Sequence, residues 1–210
     1  NKESRMSKYK KLFKNAKFWD QKLAVIFVVP LSKTGITPNQ ITFITLILAI
    51  FAGYLFALGD QNALNYGAAI FVIARFMDNF DGMIARIKNM ETKFGYFFDY
   101  TTGGISFAVM YLGIGYGLQD STLSFWAIVL GIAGAISSLA CLFMNLERDK
   151  KLNLKDGEWV GYPRAGGFEL EDGIYLLAPI TWMGWILPFF VLSAIGSIFF
   201  FLWTLGRLIK

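Results

Sequence analysis

Asp78, Asp81 and Asp99 are the residues of this chain whose type and spacing point most directly to chemistry. On a helix, Asp78 and Asp81 stand three apart and present their carboxylates on one face. Gly82 follows at once, then Ala85 and Arg86. Small residues let a bulky ligand approach the backbone, glycine doing so at a cost in helix propensity. Arginine offers a planar fork of donors to phosphate oxygens. Gly95 and Asp99 come after a short connection, and an antiparallel helix pair brings Asp99 opposite the first two acids. Three carboxylates around one pocket repel one another unless a cation sits between them. The pattern therefore suits a divalent ion with a phosphate ligand. Histidine is absent from all 210 residues, which removes imidazole metal sites, histidine bases and Ser-His-Asp triads. Oxygen ligands select a hard cation such as Mg²⁺, Mn²⁺ or Ca²⁺. A plainer account pairs the acids with Arg75, Arg86 and Lys93 at a membrane boundary. Asp78 lies well inside an apolar run, however, where a charge costs about 2.5 to 3.5 kcal/mol.

The elements that must position these groups are membrane helices. The chain is 55% hydrophobic and 17% charged, against about 45 to 50% and about 25% in soluble domains. Six segments approach the roughly 20 residues needed to cross the hydrocarbon: 40–58, 64–87, 94–118, 123–146, 170–186 and 187–206. Ahead of them, residues 1–35 form a basic segment in which Phe13, Phe18, Trp19, Leu23 and Ile26 alternate with lysines, as in an amphipathic helix lying along headgroups. That segment lacks the form of a cleavable signal peptide. Residues 36–210 are expected to make a single six-span domain, all α-helical. Lysine and arginine fall in the N-terminal segment, in the connections after the second and fourth segments, and at the C-terminal end. The connections "GDQNALN", "LQDST" and "WMGW" hold none; Arg86 falls at the very end of the second segment, and Arg75 alone lies deep inside one. Positive loops stay on the cytoplasmic side, so both termini and the acidic cluster are expected there, in a multi-pass cell-membrane protein. The net charge of +5 thus speaks for a lipid bilayer and against nucleic acid.

The stretch "DNFDGMIARIKNMETKFGYFFDYTTG" resembles the signature of the CDP-alcohol phosphotransferases, an integral membrane family with six spans. That signature runs Asp, two residues, Asp-Gly, two residues, Ala-Arg, about eight residues, Gly, three residues, Asp, three residues, Asp. "ITPNQIT" is similar to the family's entry to its first span, with Asn39 and Thr42 in the matching places, and "ETKFG" places Thr92 at a nucleotide contact. The likeness is good from about residue 20 to 118. The resemblance implies a CDP-linked alcohol or lipid donor, a hydroxyl acceptor that attacks the β-phosphorus, release of CMP, two divalent ions (Mg²⁺ or Mn²⁺) and a homodimer. It implies Asp78, Asp81 and Asp99 as metal ligands, Asn39, Thr42, Gly82, Arg86 and Thr92 around the CDP group, and a role in phospholipid or related biosynthesis.

One residue departs from the signature. The fourth aspartate, the family's proposed base, is Gly103 here. Either Asp99, a metal-bound hydroxide, the substrate phosphate or one of Glu169, Glu171 and Asp172 takes the proton, or the acceptor is unusual, or the chain is a catalytically impaired relative that binds nucleotide or lipid. Asp99 is the expected catalytic group among the matched positions. A small ion transporter is the reading from another class, since intramembrane acids also mark ion paths. It is disfavoured because the acids cluster at one face and Gly82 and Arg86 suit a nucleotide. The small residues of "GIAGAISS", 131–138, suit close helix packing, within the chain or between copies. Trp126, Trp182, Trp185 and Trp203 fall near segment ends, as interfacial anchors do. Cys141 reads as a packing residue, and the loop 147–168 as a linker or an acceptor-binding lid.

Overall fold

The computed structural model describes residues 19–151, 164–165 and 168–209. The expected helix at 1–35 is described only from Trp19, and Phe13 and Phe18 lie outside the described residues, as does most of the loop 147–168. Helix α1 is Trp19–Leu31, α2 Pro38–Leu58, α3 Gln61–Lys88, α4 Lys93–Gly117 and α5 Phe125–Lys151. A two-residue ladder pairs Arg164–Ala165 with Phe168–Glu169, and a 3₁₀ helix follows at Leu170–Leu176. The last elements are α6, Leu177–Trp182, and α7, Ile186–Ile209.

The helix ends are written in local chemistry. Thr37 caps α2 in a reciprocal box, its hydroxyl accepting from Gln40 N while Gln40 Oε1 accepts from Thr37 N at 2.9 Å, with Pro38 in the first turn. Gly59, at φ 76°, closes the same helix. Asp60 caps α3 by accepting from Ala63 N at 3.0 Å. Lys88, in the last turn of α3, donates to the Thr34 and Ile36 carbonyls at 2.7 and 2.6 Å. That grip fixes the α1–α2 connection, and with it the start of α2, beside the end of α3.

Helix α2 packs on α3 and α4, α5 on α4 and α7, and α1 on α3. The main core joins Phe56, Phe71, Met110, Tyr111, Ile114, Leu177 and Phe190. A second core lies at the other end, where Ala24, Val25 and Val28 of α1 meet Ile41, Phe80, Met83 and Ile84. The α2 start, α3 end and α4 start share one end of the bundle, called the site end below; the opposite end is the far end.

Among the described residues, three helices are long and apolar enough to cross a membrane: Pro38–Leu58, Phe125–Asp149 and Ile186–Leu208, with mean hydropathy of 2.4, 2.3 and 2.2. Their outward faces carry Phe43, Ile136, Leu192 and Phe199, all more than half exposed, as lipid-facing side chains are. Helices α3 and α4 have the length, at 28 and 25 residues. They miss the apolarity because α3 carries Arg75, Asp78, Asp81 and Arg86 and α4 is rich in Gly, Tyr and Thr. The fifth expected segment is built differently from the single α-helix foreseen over 170–186. Gly173 and Pro179, both poor at propagating an α-helix, leave seven 3₁₀ residues and six α-helical ones. The pair still runs along α3 from one end to the other. Tyr175 OH lies 3.4 Å from Asn79 Nδ2, while Thr181 O accepts from Gln61 Nε2 at 3.0 Å. A 3₁₀ turn rises about 2.0 Å per residue against about 1.5 Å in an α-helix, so few residues cover the distance.

Candidate functional site

The three acids meet. Asp78 and Asp81, from the last turns of α3, and Asp99, from the second turn of α4, offer carboxylate oxygens that all lie within 4.8 Å of one another. Asp81 is 5% exposed. It is held in place by Thr42 of α2, whose hydroxyl donates to Oδ2 at 2.5 Å, and by the Gly82 amide on Oδ1 at 2.5 Å. Asp78 Oδ2 lies 3.0 Å from Arg75 Nη1, one turn earlier on α3. Asp78 Oδ1 is buried with no hydrogen-bond partner among the described residues. A buried carboxylate oxygen without a donor carries a large desolvation cost. A cation among the three acids would remove it, so the residues present fit a divalent ion with oxygen ligands.

The residues matched to the nucleotide gather next to this cluster. A Cβ built on Gly82 would find its nearest atoms in the Arg86 guanidinium, at 3.6 Å, so the glycine leaves space and the arginine borders it. Thr92 caps α4, its Oγ accepting from Gly95 N at 2.9 Å; the hydroxyl proton stays available as a donor. A Cβ on Gly95 would lie 3.1 Å from Asn39 Oδ1 and 3.0 Å from Thr92 Oγ, which puts Asn39 of α2 against the α4 cap. Asn39 and Thr42 share one face of α2, and Thr92, Gly95 and Asp99 recur along one face of α4. The structure therefore sets the matched positions Asn39, Thr42, Asp78, Asp81, Gly82, Arg86, Thr92 and Asp99 on three neighbouring helix ends.

Gly103 lies one turn beyond Asp99 and faces Arg75: a Cβ there would stand 3.9 Å from Arg75 Nη1. Of the acids considered as substitute bases, Asp172 accepts from Trp19 Nε1 at 3.3 Å, on the α1 side of the bundle. The side chains of Glu169 and Glu171 lie outside the described residues. Sequence reasoning also missed Asn79, which stands between the two motif acids. Its Nδ2 donates to Asp20 Oδ2 at 3.0 Å, and Tyr175 OH donates to the same oxygen at 3.1 Å. These bonds tie α3 to α1 and to the 3₁₀ helix directly behind the cluster. The only signal was an acid, Asp20, inside an apolar helix.

A sequence profile of the CDP-alcohol phosphatidyltransferase family matches residues 35–206. The chain belongs to that family. Archaetidylinositol phosphate synthase of Pyrococcus horikoshii is 39% identical over 87 residues, 41% of this chain and 45% of that protein. CDP-diacylglycerol–glycerol-3-phosphate 3-phosphatidyltransferase of Wigglesworthia glossinidia brevipalpis is 42% identical over 62 residues, 30% of this chain and 34% of that one. Ceramide phosphoethanolamine synthase of Drosophila melanogaster is 32% identical over 96 residues, 42% of this chain and 24% of that one. In each case the matched stretch spans less than half of the relative's length.

Proposed function

We propose that this family member moves a substituted phosphate group from a CDP-linked alcohol or lipid to a hydroxyl acceptor and releases CMP, in phospholipid or related biosynthesis. The observation that carries the reading is the convergence of Asp78, Asp81 and Asp99 within 4.8 Å, with one buried oxygen lacking a donor. The names of the three relatives, all of them lipid synthases or transferases, support a lipid among the substrates. Asp78, Asp81 and Asp99 would hold Mg²⁺ or Mn²⁺, which when bound would offset the charge of the pyrophosphate and of the oxygens that gain charge in transfer. Arg86 reaches the phosphate oxygens across the space left by Gly82. Asn39, Thr42 and Thr92 border the CDP group, and Thr42 also keeps Asp81 aimed at the cluster. In the transfer, the acceptor oxygen bonds to the β-phosphorus and the bond from that phosphorus to the bridging oxygen breaks. CMP carries off the electron pair, and Asp99 receives the hydroxyl proton.

The chain would make six membrane passes behind an interfacial N-terminal helix, with the site and both termini on the cytoplasmic side of the cell membrane, as a homodimer. Support comes from the run of the 3₁₀ helix and α6 along α3, from the lysine and arginine distribution, and from Trp126, Trp182 and Trp185, all more than half exposed at the far end. CMP release from CDP-diacylglycerol, CDP-archaeol and a soluble CDP-alcohol tests the reaction. Release that depends on Mg²⁺ or Mn²⁺ supports it. If no donor yields CMP while Mn²⁺ with CMP still raises the melting temperature, Gly103 marks a binding relative. If neither is seen and a monovalent ion stabilises the protein instead, the reading fails.

A further inference from the structure

Arg75 stands where the fourth carboxylate of the signature is missing. An aspartate at 103 would begin 3.9 Å from Arg75 Nη1, against the guanidinium. Contacts with Asp78 and Phe107 help to hold that cation within the acidic cluster. Nη1 lies 3.0 Å from Asp78 Oδ2, and Cζ lies 5.0 Å from the Phe107 ring centroid, at a face suited to a cation. The Arg75 side chain is 11% exposed. We propose that Arg75 is a built-in second cation, and that the site consequently takes one divalent ion where four carboxylates would take two.

Charge and geometry agree on this, granted that the cluster is the metal site proposed above. Three carboxylates and one guanidinium carry a net charge of minus two, which one divalent ion cancels. Four carboxylates without the guanidinium carry minus four, which needs two. Arg86 belongs to the signature in either case and leaves the comparison unchanged. A guanidinium does not lose its proton in proteins, so its charge is permanent. It also divides the oxygens of Asp78. Oδ2 is committed to Arg75, and the unpartnered Oδ1 alone remains for a metal, so this carboxylate does not have both oxygens free to bridge two ions, one on each. Loss of the acid at 103 and presence of the base at 75 thus complete one another. Arg75 is a positioning residue: it sets the number and strength of bound ions through Asp78.

Counting Mn²⁺ in the presence of CMP, from the resonance of free Mn²⁺ during titration of the purified full chain, tests the proposal without an activity assay. The wild type is expected to bind one ion per chain. Arg75→Met is expected to bind that ion about tenfold more tightly, because a repelling charge is gone, whereas Arg75→Lys stays near the wild type. The double variant Arg75→Met with Gly103→Asp is expected to bind two ions and show a spin-coupled signal. Two ions in the wild type overturn the proposal while leaving the metal–nucleotide reading intact. No bound ion overturns both. Equal affinity in Arg75→Met and wild type also overturns it. The wild-type count stands whether or not a variant folds.

Discussion

The two ends of the bundle use glycine for opposite purposes. At the far end, glycines bring helices into backbone contact. A Cβ on Gly113 would collide with the Gly53 carbonyl, and one on Gly117 with the Phe56 carbonyl. A Cβ on Gly115 would stand 2.7 Å from the Ala127 carbonyl, and one on Gly131 2.7 Å from that of Tyr111. At the site end Gly82 and Gly103 face space instead, the nearest atoms to a Cβ being 3.6 Å and 3.9 Å away, both on arginine side chains, while Gly95 packs closely on the Thr92 and Asn39 side chains. Close approach at one end gives dispersion contact without the apolar driving force that lipid removes. Openness at the other leaves room for a ligand among buried charges.

The comparison predicts that the same kind of substitution breaks different properties at the two ends. The largest effect on function is expected for Asp81→Asn, which removes a ligand charge but keeps an oxygen for the Thr42 hydroxyl. CMP release should fall by about a hundredfold or more, on the scale of losing one electrostatic contact to a transition state. Without metal, the melting temperature should hold or rise, because a buried like charge has gone, and its rise on adding Mn²⁺ with CMP should vanish. A melting temperature well below wild type in metal-free buffer would show that Asp81 is structural. Next comes Gly113→Ala at the far end, where the clashing atom is a backbone carbonyl. Overpacking of this kind costs about 1 to 3 kcal/mol, read as a lower melting midpoint, with CMP affinity of the folded protein unchanged.

Much of the site end was legible in the sequence, and little of the far end. The spacing Asp78–Asp81 fixes a shared face, and a short connection forces α4 to return beside α3, so the convergence with Asp99 follows from helix geometry alone. Arg75 was visible as a possible partner of the acids. Its pairing with Asp78 is a local contact three residues apart on α3, but that it also points at the gap left by Gly103 depends on the rotation of α4 against α3, which no local pattern encodes. The glycines of α4 look alike in sequence, yet Gly103 opens onto an arginine and Gly113 onto a carbonyl. "GIAGAISS" left two outcomes open, and the structure shows one of them: Gly131 and Gly134 receive Tyr111 of α4. The fifth segment was misread as an α-helix because hydropathy records how apolar a stretch is and not how far it rises per residue.

Gly82→Ala sharpens the contrast by separating stability from binding. Among the described residues, and apart from its chain neighbours and the backbone of its own helix, the new methyl group would meet only the Arg86 side chain within 4 Å, so the helix should gain about 0.5 to 1 kcal/mol from the propensity difference. The methyl group would stand in the space between α3 and the Arg86 fork. CMP affinity with Mn²⁺ should therefore weaken, by about tenfold if one phosphate contact is lost. A variant both less stable and equally able to bind CMP would place the nucleotide elsewhere.

The smallest effect is expected behind the cluster, at Tyr175→Phe. Among the described residues, Tyr175 OH and Asn79 Nδ2 both donate to Asp20 Oδ2, and Asn79 Nδ2 remains after the change. The ring keeps its edge contact with Trp19, whose centroid is 5.0 Å away. Hydrogen bonds to charged groups contribute about 1.5 to 3 kcal/mol, and this acceptor keeps another donor, so the melting midpoint should fall by a few degrees only. The informative quantity is the metal affinity. Asn79 lies between Asp78 and Asp81 on α3, and Asp20 anchors its side chain away from the cluster. If that anchor aims the two acids, Mn²⁺ affinity should fall severalfold more in Asn79→Ala than in Tyr175→Phe, although both lose one donor to Asp20. Equal losses would mean that the network behind the cluster only joins α1 and the 3₁₀ helix to the bundle, and that the aim of the acids comes from Thr42 and Arg75 on the other side.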